Sequence, residues 1–191
     1  MSSHHIIREN QEPALFIAEP HCLSIDYLNQ LLEWSPTIIT IADNYEVLNS
    51  WGIKVDVIIC HSLDNLPSFL EENLQIILLE DNIWNTLFSF LESKGNYAVN
   101  ILTESYHLQD LLPWIPKFNI NILFDTYKTV FVKDYEKWLP KGFRLWIIDK
   151  IINPNHLENL NLIALNCYEV KEDGFVRVLD QLEYFELREE L

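Results

Sequence analysis

The sequence predicts an α/β protein: a mostly parallel Rossmann- or flavodoxin-like sheet with helices on both faces, followed by a smaller C-terminal antiparallel β domain. Three observations predict it. Short, continuously apolar runs alternate with helix-type patterns up to about residue 118, as in a parallel sheet covered on both faces. Beyond that point strand patterns recur with no long helix between them, the signature of antiparallel sheet. Apolar residues make up 49% of the 191, which is ample for a packed core in one large domain or two small ones.

The elements follow in order. Ala14–Ala18 (ALFIA) reads as a buried strand. Ile25, Leu28, Leu31 and Leu32 fall at helical spacing through Trp34, with Ser24 placed to cap. Thr37–Ala42 is β-branched and apolar, a second strand. Asn44–Trp51 is a helix ended by Gly52, and Val55–Cys60 a third strand. Asn65-Leu66-Pro67 opens a helical stretch to Asn73. Gln75–Leu79 is the fourth strand, Ile83–Ser93 a helix closed by Gly95, and Ala98–Leu102 the fifth strand. His107–Ile115 is a short helix stopped by Pro113 and Pro116.

The pattern then changes. Asn119–Phe124 and Lys128–Val132 are strands joined by Asp125-Thr126-Tyr127, and Pro140-Lys141-Gly142 turns the chain into Phe143–Ile148. Leu160–Leu165 and Phe175–Leu179 continue the series, with Glu172-Asp173-Gly174 as a hairpin-type turn. The domain boundary is placed near Lys117, giving an α/β domain over 1–118 and a β-sandwich or barrel over 119–191. Nothing there is rich in Gly or Ser, so the junction is expected to be tight.

Composition excludes several functions. Only four glycines occur (Gly52, Gly95, Gly142 and Gly174), and neither the dinucleotide G-x-G-x-x-G nor the P-loop pattern can be written with them. The formal charge of −16 argues against nucleic acid and against an anionic membrane surface. No 18-residue apolar stretch occurs, and the first ten residues lack the basic-then-apolar pattern of a signal peptide. Cys22, Cys60 and Cys167 are odd in number and widely spaced, so thiols in a reduced cytoplasm are expected, with no zinc ribbon.

In an open parallel sheet, ligands bind beyond the carboxyl ends of the strands. Those ends carry Glu19, Asp43, Asp64, Asp81 and Glu104, one carboxylate after each of the five strands. Carboxylates on one rim suit Mg²⁺, which takes oxygen ligands and substrate phosphates. Asp, Asn and Glu also cap helices and fill loops in any such fold, so both readings stand at this point. His61 and His107 are candidate acid–base groups or metal ligands, or solvated loop residues. Cys60 and the tryptophans Trp84, Trp114, Trp138 and Trp146 read first as core or interface.

The segment ADNYEVLNSWGIKVDVIICHSLDNL, Ala42–Leu66, resembles the thiamine pyrophosphokinase family. The family pattern runs approximately A-D-G-A-x-x-x-L-x-x-x-G-I-x-P-D-x-I-I-G-D-x-D-S-L, and the match keeps Ala42-Asp43, Gly52-Ile53, Asp56 and Val57–Ile59. Asp125–Val132 and Lys141-Gly142-Phe143 resemble the start of that family's C-terminal β domain, and the order of elements agrees over nearly the whole chain. The resemblance implies transfer of pyrophosphate from ATP to thiamine with release of AMP. It implies Mg²⁺ held by Asp43, Asp64 and Asp81, with Asp43 and Asp64 as catalytic residues. It further implies a nucleotide loop at Thr103 and His107, and a homodimer that binds thiamine near the subunit interface, with residues 1–118 as the catalytic-type domain and 119–191 as the thiamine-binding-type domain.

The chain departs from the family pattern at those positions. The acidic G-D-x-D-S motif falls on Cys60-His61-Ser62-Leu63-Asp64, which places His61 and Leu63 where two metal-binding aspartates stand. The small pair after the first Asp becomes Asn44-Tyr45. The nucleotide loop T-G-G-R-x-D-H shrinks to Thr103-Glu104-Ser105-Tyr106-His107 and loses its glycines and arginine. The expectation is a thiamine pyrophosphokinase scaffold with weakened or absent catalysis, ATP and Mg²⁺ being cofactors only if it is active. The alternatives are a ligand-binding or dimeric interaction protein on that scaffold, or another pyrophosphate- or nucleotide-transfer enzyme.

Overall fold

The computed structural model describes residues 12–67, 69–148 and 156–191, the side chain of Asn65 excepted. The chain divides into two compact units, Met1–Asp125 and Thr126–Leu191. Strand pairing is parallel in the first and antiparallel in the second.

The first unit holds six strands among the described residues: β1 (Ala14–Ile17), β2 (Ile38–Ile41), β3 (Val57–Cys60), β4 (Gln75–Leu78), β5 (Ala98–Leu102) and β6 (Asn119–Phe124). They lie in the order β6-β5-β1-β2-β3-β4, all parallel. The chain builds outward from β1 to β4, then returns to the other side of β1 for β5 and β6. The order therefore reverses between β1 and β5. The sequence expectation of antiparallel strand at Asn119–Phe124 is corrected here: β6 pairs parallel with β5. Its apolar positions Ile120, Ile122 and Leu123 are buried, and that outweighs the absence of a long helix before it.

Helices connect these strands where the sequence allows them. Helix α1 (Ile25–Leu32) starts at Ser24, whose hydroxyl accepts the Tyr27 N–H. Helix α2 (Tyr45–Ser50) ends against Gly52, whose φ of +73° is open to glycine and strained for other residues. Leu28 of α1 and Tyr45 and Leu48 of α2 share one core cluster with Leu15, Ile17, Ile58 and Cys60. Phe16 alternates to the opposite side of β1, where it meets Trp84 of α3 (Ile83–Ser93) edge to face. Helix α4 is only Leu108–Leu111.

The connection from β3 to β4 is the exception. A helix over 65–73 is expected from sequence, but the described residues there hold a single 3₁₀ turn, Leu63–Asn65. Leu66 is extended, with ψ of 145°, because Pro67 disfavours the helical region for the residue before it.

The second unit has eight strands among the described residues. They are β7 (Tyr127–Val132), β8 (Tyr135–Leu139), β9 (Arg144–Ile148), β10 (Leu157–Glu158), β11 (Leu160–Ala164), β12 (Cys167–Val170), β13 (Gly174–Val178) and β14 (Phe185–Glu190). Five run in the order β11-β12-β9-β14-β7 and three in the order β10-β13-β8. Leu145, Ile147 and Leu187 of the first set share a core with Leu139, Val176 and Val178 of the second.

Candidate functional site

A cavity of about 290 Å³ opens at the carboxyl ends of the parallel strands of the first unit. Its floor is apolar: Phe16, Ile41, Ile59, Leu79 and Trp84 contribute, and Cys60 lies beside them. Its polar groups are Glu19, Asp43, His61, Thr103 and Ser105. No lysine or arginine lines it among the described residues. The cavity sits where the strand order reverses, which is where ligands bind in open α/β sheets.

Glu19, just past β1, joins the two sides of that reversal. Its Oε1 accepts the Thr103 hydroxyl at 3.0 Å and its Oε2 accepts the Glu104 N–H at 3.0 Å. Thr103 is buried, and its oxygen also accepts the Ser105 N–H at 3.1 Å. On the other flank, the Asn44 amide donates to the Ala18 carbonyl at 2.8 Å, and the Thr40 hydroxyl donates to the Ile17 carbonyl at 2.7 Å. Side chains thus lock the ends of β1, β2 and β5 together. No buried side-chain nitrogen or oxygen lacks a partner among the described residues.

The sequence-predicted site residues divide. Asp43 and Thr103 line the cavity. Asp64 is exposed on the 3₁₀ turn, where its N–H and carboxylate engage the Ser62 hydroxyl, and it is not a lining residue. Asp81 is exposed after β4, and His107 is exposed at the start of α4. Neither lines the cavity. Among the described residues, no group of three or more His, Cys, Asp or Glu is arranged to hold a metal ion. Asp43, Asp64 and Asp81 are therefore not arranged as a shared Mg²⁺ site among the described residues.

Two residues matter more than the motif comparison indicates. Glu19 holds the β5 donors, and Trp84 forms an aromatic wall that is only 8% exposed. The signal for Glu19 is its position directly after the first strand. Trp84 has no comparable signal, because a helix tryptophan reads equally well as core. Nearby, burial and then the Glu19 and Glu104 charges push the Cys22 thiol up to about 12. Its role is packing, with Sγ 3.6 Å from the Leu123 carbonyl.

Fold and cavity define a two-unit α/β protein with a cavity at the strand-order reversal of its first unit. Solved structures share that fold. The Bacillus subtilis thiamine pyrophosphokinase superposes with a TM-score of 0.64 at 12% identity, over 94% of this chain and 99% of that one. A thiamin pyrophosphokinase family protein from Enterococcus faecalis gives the same values. The Geobacillus thermodenitrificans thiamin pyrophosphokinase gives 0.62 at 10% identity, over 93% and 97%. No protein-family model and no curated protein matches the sequence. At these identities the likeness establishes the fold: this chain has the thiamine pyrophosphokinase fold. No helix among the described residues is long and apolar enough to cross a membrane.

Proposed function

We propose that this chain is a thiamine pyrophosphokinase-like protein whose strand-end cavity binds a small aromatic cation, with thiamine the first candidate, and whose pyrophosphoryl transfer from ATP is weakened or absent. The observation that carries this reading is the lining: an apolar floor with Trp84, two carboxylates, and, among the described residues, no lysine or arginine, His61 being the one imidazole. A cationic ring gains from both parts of such a surface. Its apolar face leaves water against Trp84, and its charge lies near Glu19 and Asp43. MgATP gains from neither. Among the described lining residues its triphosphate meets no lysine, no arginine and no glycine, in a chain of net charge −16. The volume of about 290 Å³ stands at the small end of ligand sites, which start near roughly 300 Å³.

Support for thiamine as the ligand is the shared fold with thiamine pyrophosphokinases together with this chemistry. A homodimer belongs to the same proposal, and sedimentation at several concentrations tests it. The second reading is a working, divergent enzyme, which the placement of Asp43 in the cavity favours. One experiment separates the two. Thiamine and MgATP are titrated separately by calorimetry, and AMP release is measured with both present. Saturable thiamine binding with no MgATP binding and no AMP is the expected result. AMP formed by the wild type and lost in Asp43→Ala overturns the binding-protein reading.

A further inference from the structure

We infer that Glu19 is this chain's own anion: its carboxylate fills the donor pair at the end of β5 and so confines the strand-end cavity to neutral or cationic ligands. This rests on the reading of that cavity as the binding site, not on which ligand fills it. Two donors on successive residues, the Thr103 hydroxyl and the Glu104 N–H, reach the two oxygens of one carboxylate at 3.0 Å each, the hydroxyl proton being shared with the Ser105 carbonyl, also at 3.0 Å. Paired donors of this kind also receive a phosphate or a free carboxylate. Here both are taken by a group attached to the same chain, which competes at high effective concentration. A free oxyanion entering the cavity would have to displace Glu19, and it would then stand beside two carboxylates, Glu19 and Asp43, with His61 also in the lining but no lysine or arginine among the described residues there.

The arrangement makes Glu19 a specificity residue. It acts on ligand choice by occupying donors that the fold presents at its strand-order reversal, and it ties the β1 and β5 ends together as it does so. Emptying that position should convert the cavity from one that excludes phosphate to one that accepts it. Glutamine at the same position keeps one acceptor for the Thr103 hydroxyl, but its amide nitrogen cannot accept the Glu104 N–H. That variant removes the charge and frees one donor while preserving most of the packing.

The test is a titration with inorganic phosphate, followed at the Thr103 and Glu104 backbone amides by two-dimensional NMR. The wild type, Glu19→Ala, Glu19→Gln and the double variant Glu19→Ala/Thr103→Val are compared. The wild type is expected to show no saturable shift. Glu19→Ala is expected to bind phosphate about tenfold or more tightly than the wild type, with part of that gain lost in the double variant. Phosphate binding by the wild type equal to that of Glu19→Ala overturns the inference, as does a folded Glu19→Ala with no gain. If Glu19→Ala does not fold, Glu19→Gln decides: a severalfold gain supports the inference and no gain overturns it. Thiamine failing to bind the wild type while phosphate binds Glu19→Ala would remove the ligand assignment made above and leave this inference standing.

Discussion

Asp56 and Ile38 exchange two hydrogen bonds. The Ile38 N–H donates to Asp56 Oδ2 at 2.9 Å, and the Asp56 N–H donates to the Ile38 carbonyl at 2.9 Å. The Asp56 carbonyl in turn accepts the Gln75 N–H at 2.9 Å. One residue therefore sets where β2, β3 and β4 begin, at the opposite end of the sheet from the cavity. Asp56→Ala leaves the half-buried Ile38 N–H without its carboxylate partner, at a cost of about 1–3 kcal/mol. Asp56→Asn keeps a carbonyl acceptor and costs less. Urea denaturation of both variants checks the order, and equal stabilities would show that the side-chain bond contributes nothing.

Trp84 forms a second test. Its ring meets Phe16 edge to face, with centroids 6.2 Å apart and planes at 79°. Truncation to alanine removes a buried indole and should cost about 3–5 kcal/mol. Trp84→Phe keeps most of the apolar volume and should cost well under that, while weakening an aromatic cation in the cavity by severalfold, because indole is the strongest cation–π partner. Thermal melts give the first comparison and calorimetry with thiamine the second. Unchanged affinity in a folded Trp84→Phe would remove Trp84 from the binding surface.

The parallel sheet was legible because burial wrote it into the sequence. β1 and β3 are buried at every position, so continuous apolar runs identify them, and α3 and β5 match their expected limits. What was not legible has identifiable causes. β14 reads FELREE, a charged string, yet it lies between β7 and β9. Glu189 is buried there because the Lys137 ammonium donates to it at 2.7 Å and the Tyr135 hydroxyl at 3.3 Å, partners that only the fold supplies. β8 reads YEKWL with Glu136, Lys137 and Trp138 exposed, so it lacks the continuous apolar run that marks β1 and β3. The family-like residues Gly52, Ile53 and Asp56 serve a helix end, the core and the strand starts. The departures at His61, Leu63 and Glu104 fall on the strand ends, where ligands would be met. Resemblance thus carried the fold and left the chemistry to geometry.

Leu78 stands opposite Cys60 in the β3–β4 register, yet Cys60 is 3% exposed and Leu78 51%. The β3–β4 connection has no helix among its described residues to cover that face, and Ile76 beside it is 36% exposed. An apolar strand at the end of a sheet invites self-association. Leu78→Lys is expected to lower concentration-dependent association in light scattering while changing unfolding free energy by less than about 0.5 kcal/mol. Unchanged association would place the contact surface elsewhere.

Alkaline pH should weaken the first unit through Cys22. Burial acts first, then the Glu19 and Glu104 charges, and together they push the thiol from 9.0 up to about 12. The folded chain therefore holds this proton more tightly than the unfolded chain. Its contribution to stability is fully present below pH 9 and declines as pH rises from 9 toward 12. Cys60 and Cys167 are pushed in the same direction by burial, and Tyr135 by burial and the Glu189 carboxylate, so all four groups share the sign. Cys22→Ala should flatten the fall in urea midpoint between pH 8 and pH 10.5 without abolishing it. The slope is the readout, since the small cavity left by the substitution lowers stability equally at every pH. A slope identical to that of the wild type would mean that Cys22 ionises in the folded chain as readily as in the unfolded one. Alkylation gives an independent check: at pH 8 the folded thiol should react at least about 100-fold more slowly than in urea, because the thiolate is the reacting species. Glu19→Ala removes one of the charges that hold the proton on, so in a folded variant Cys22 should react faster than in the wild type.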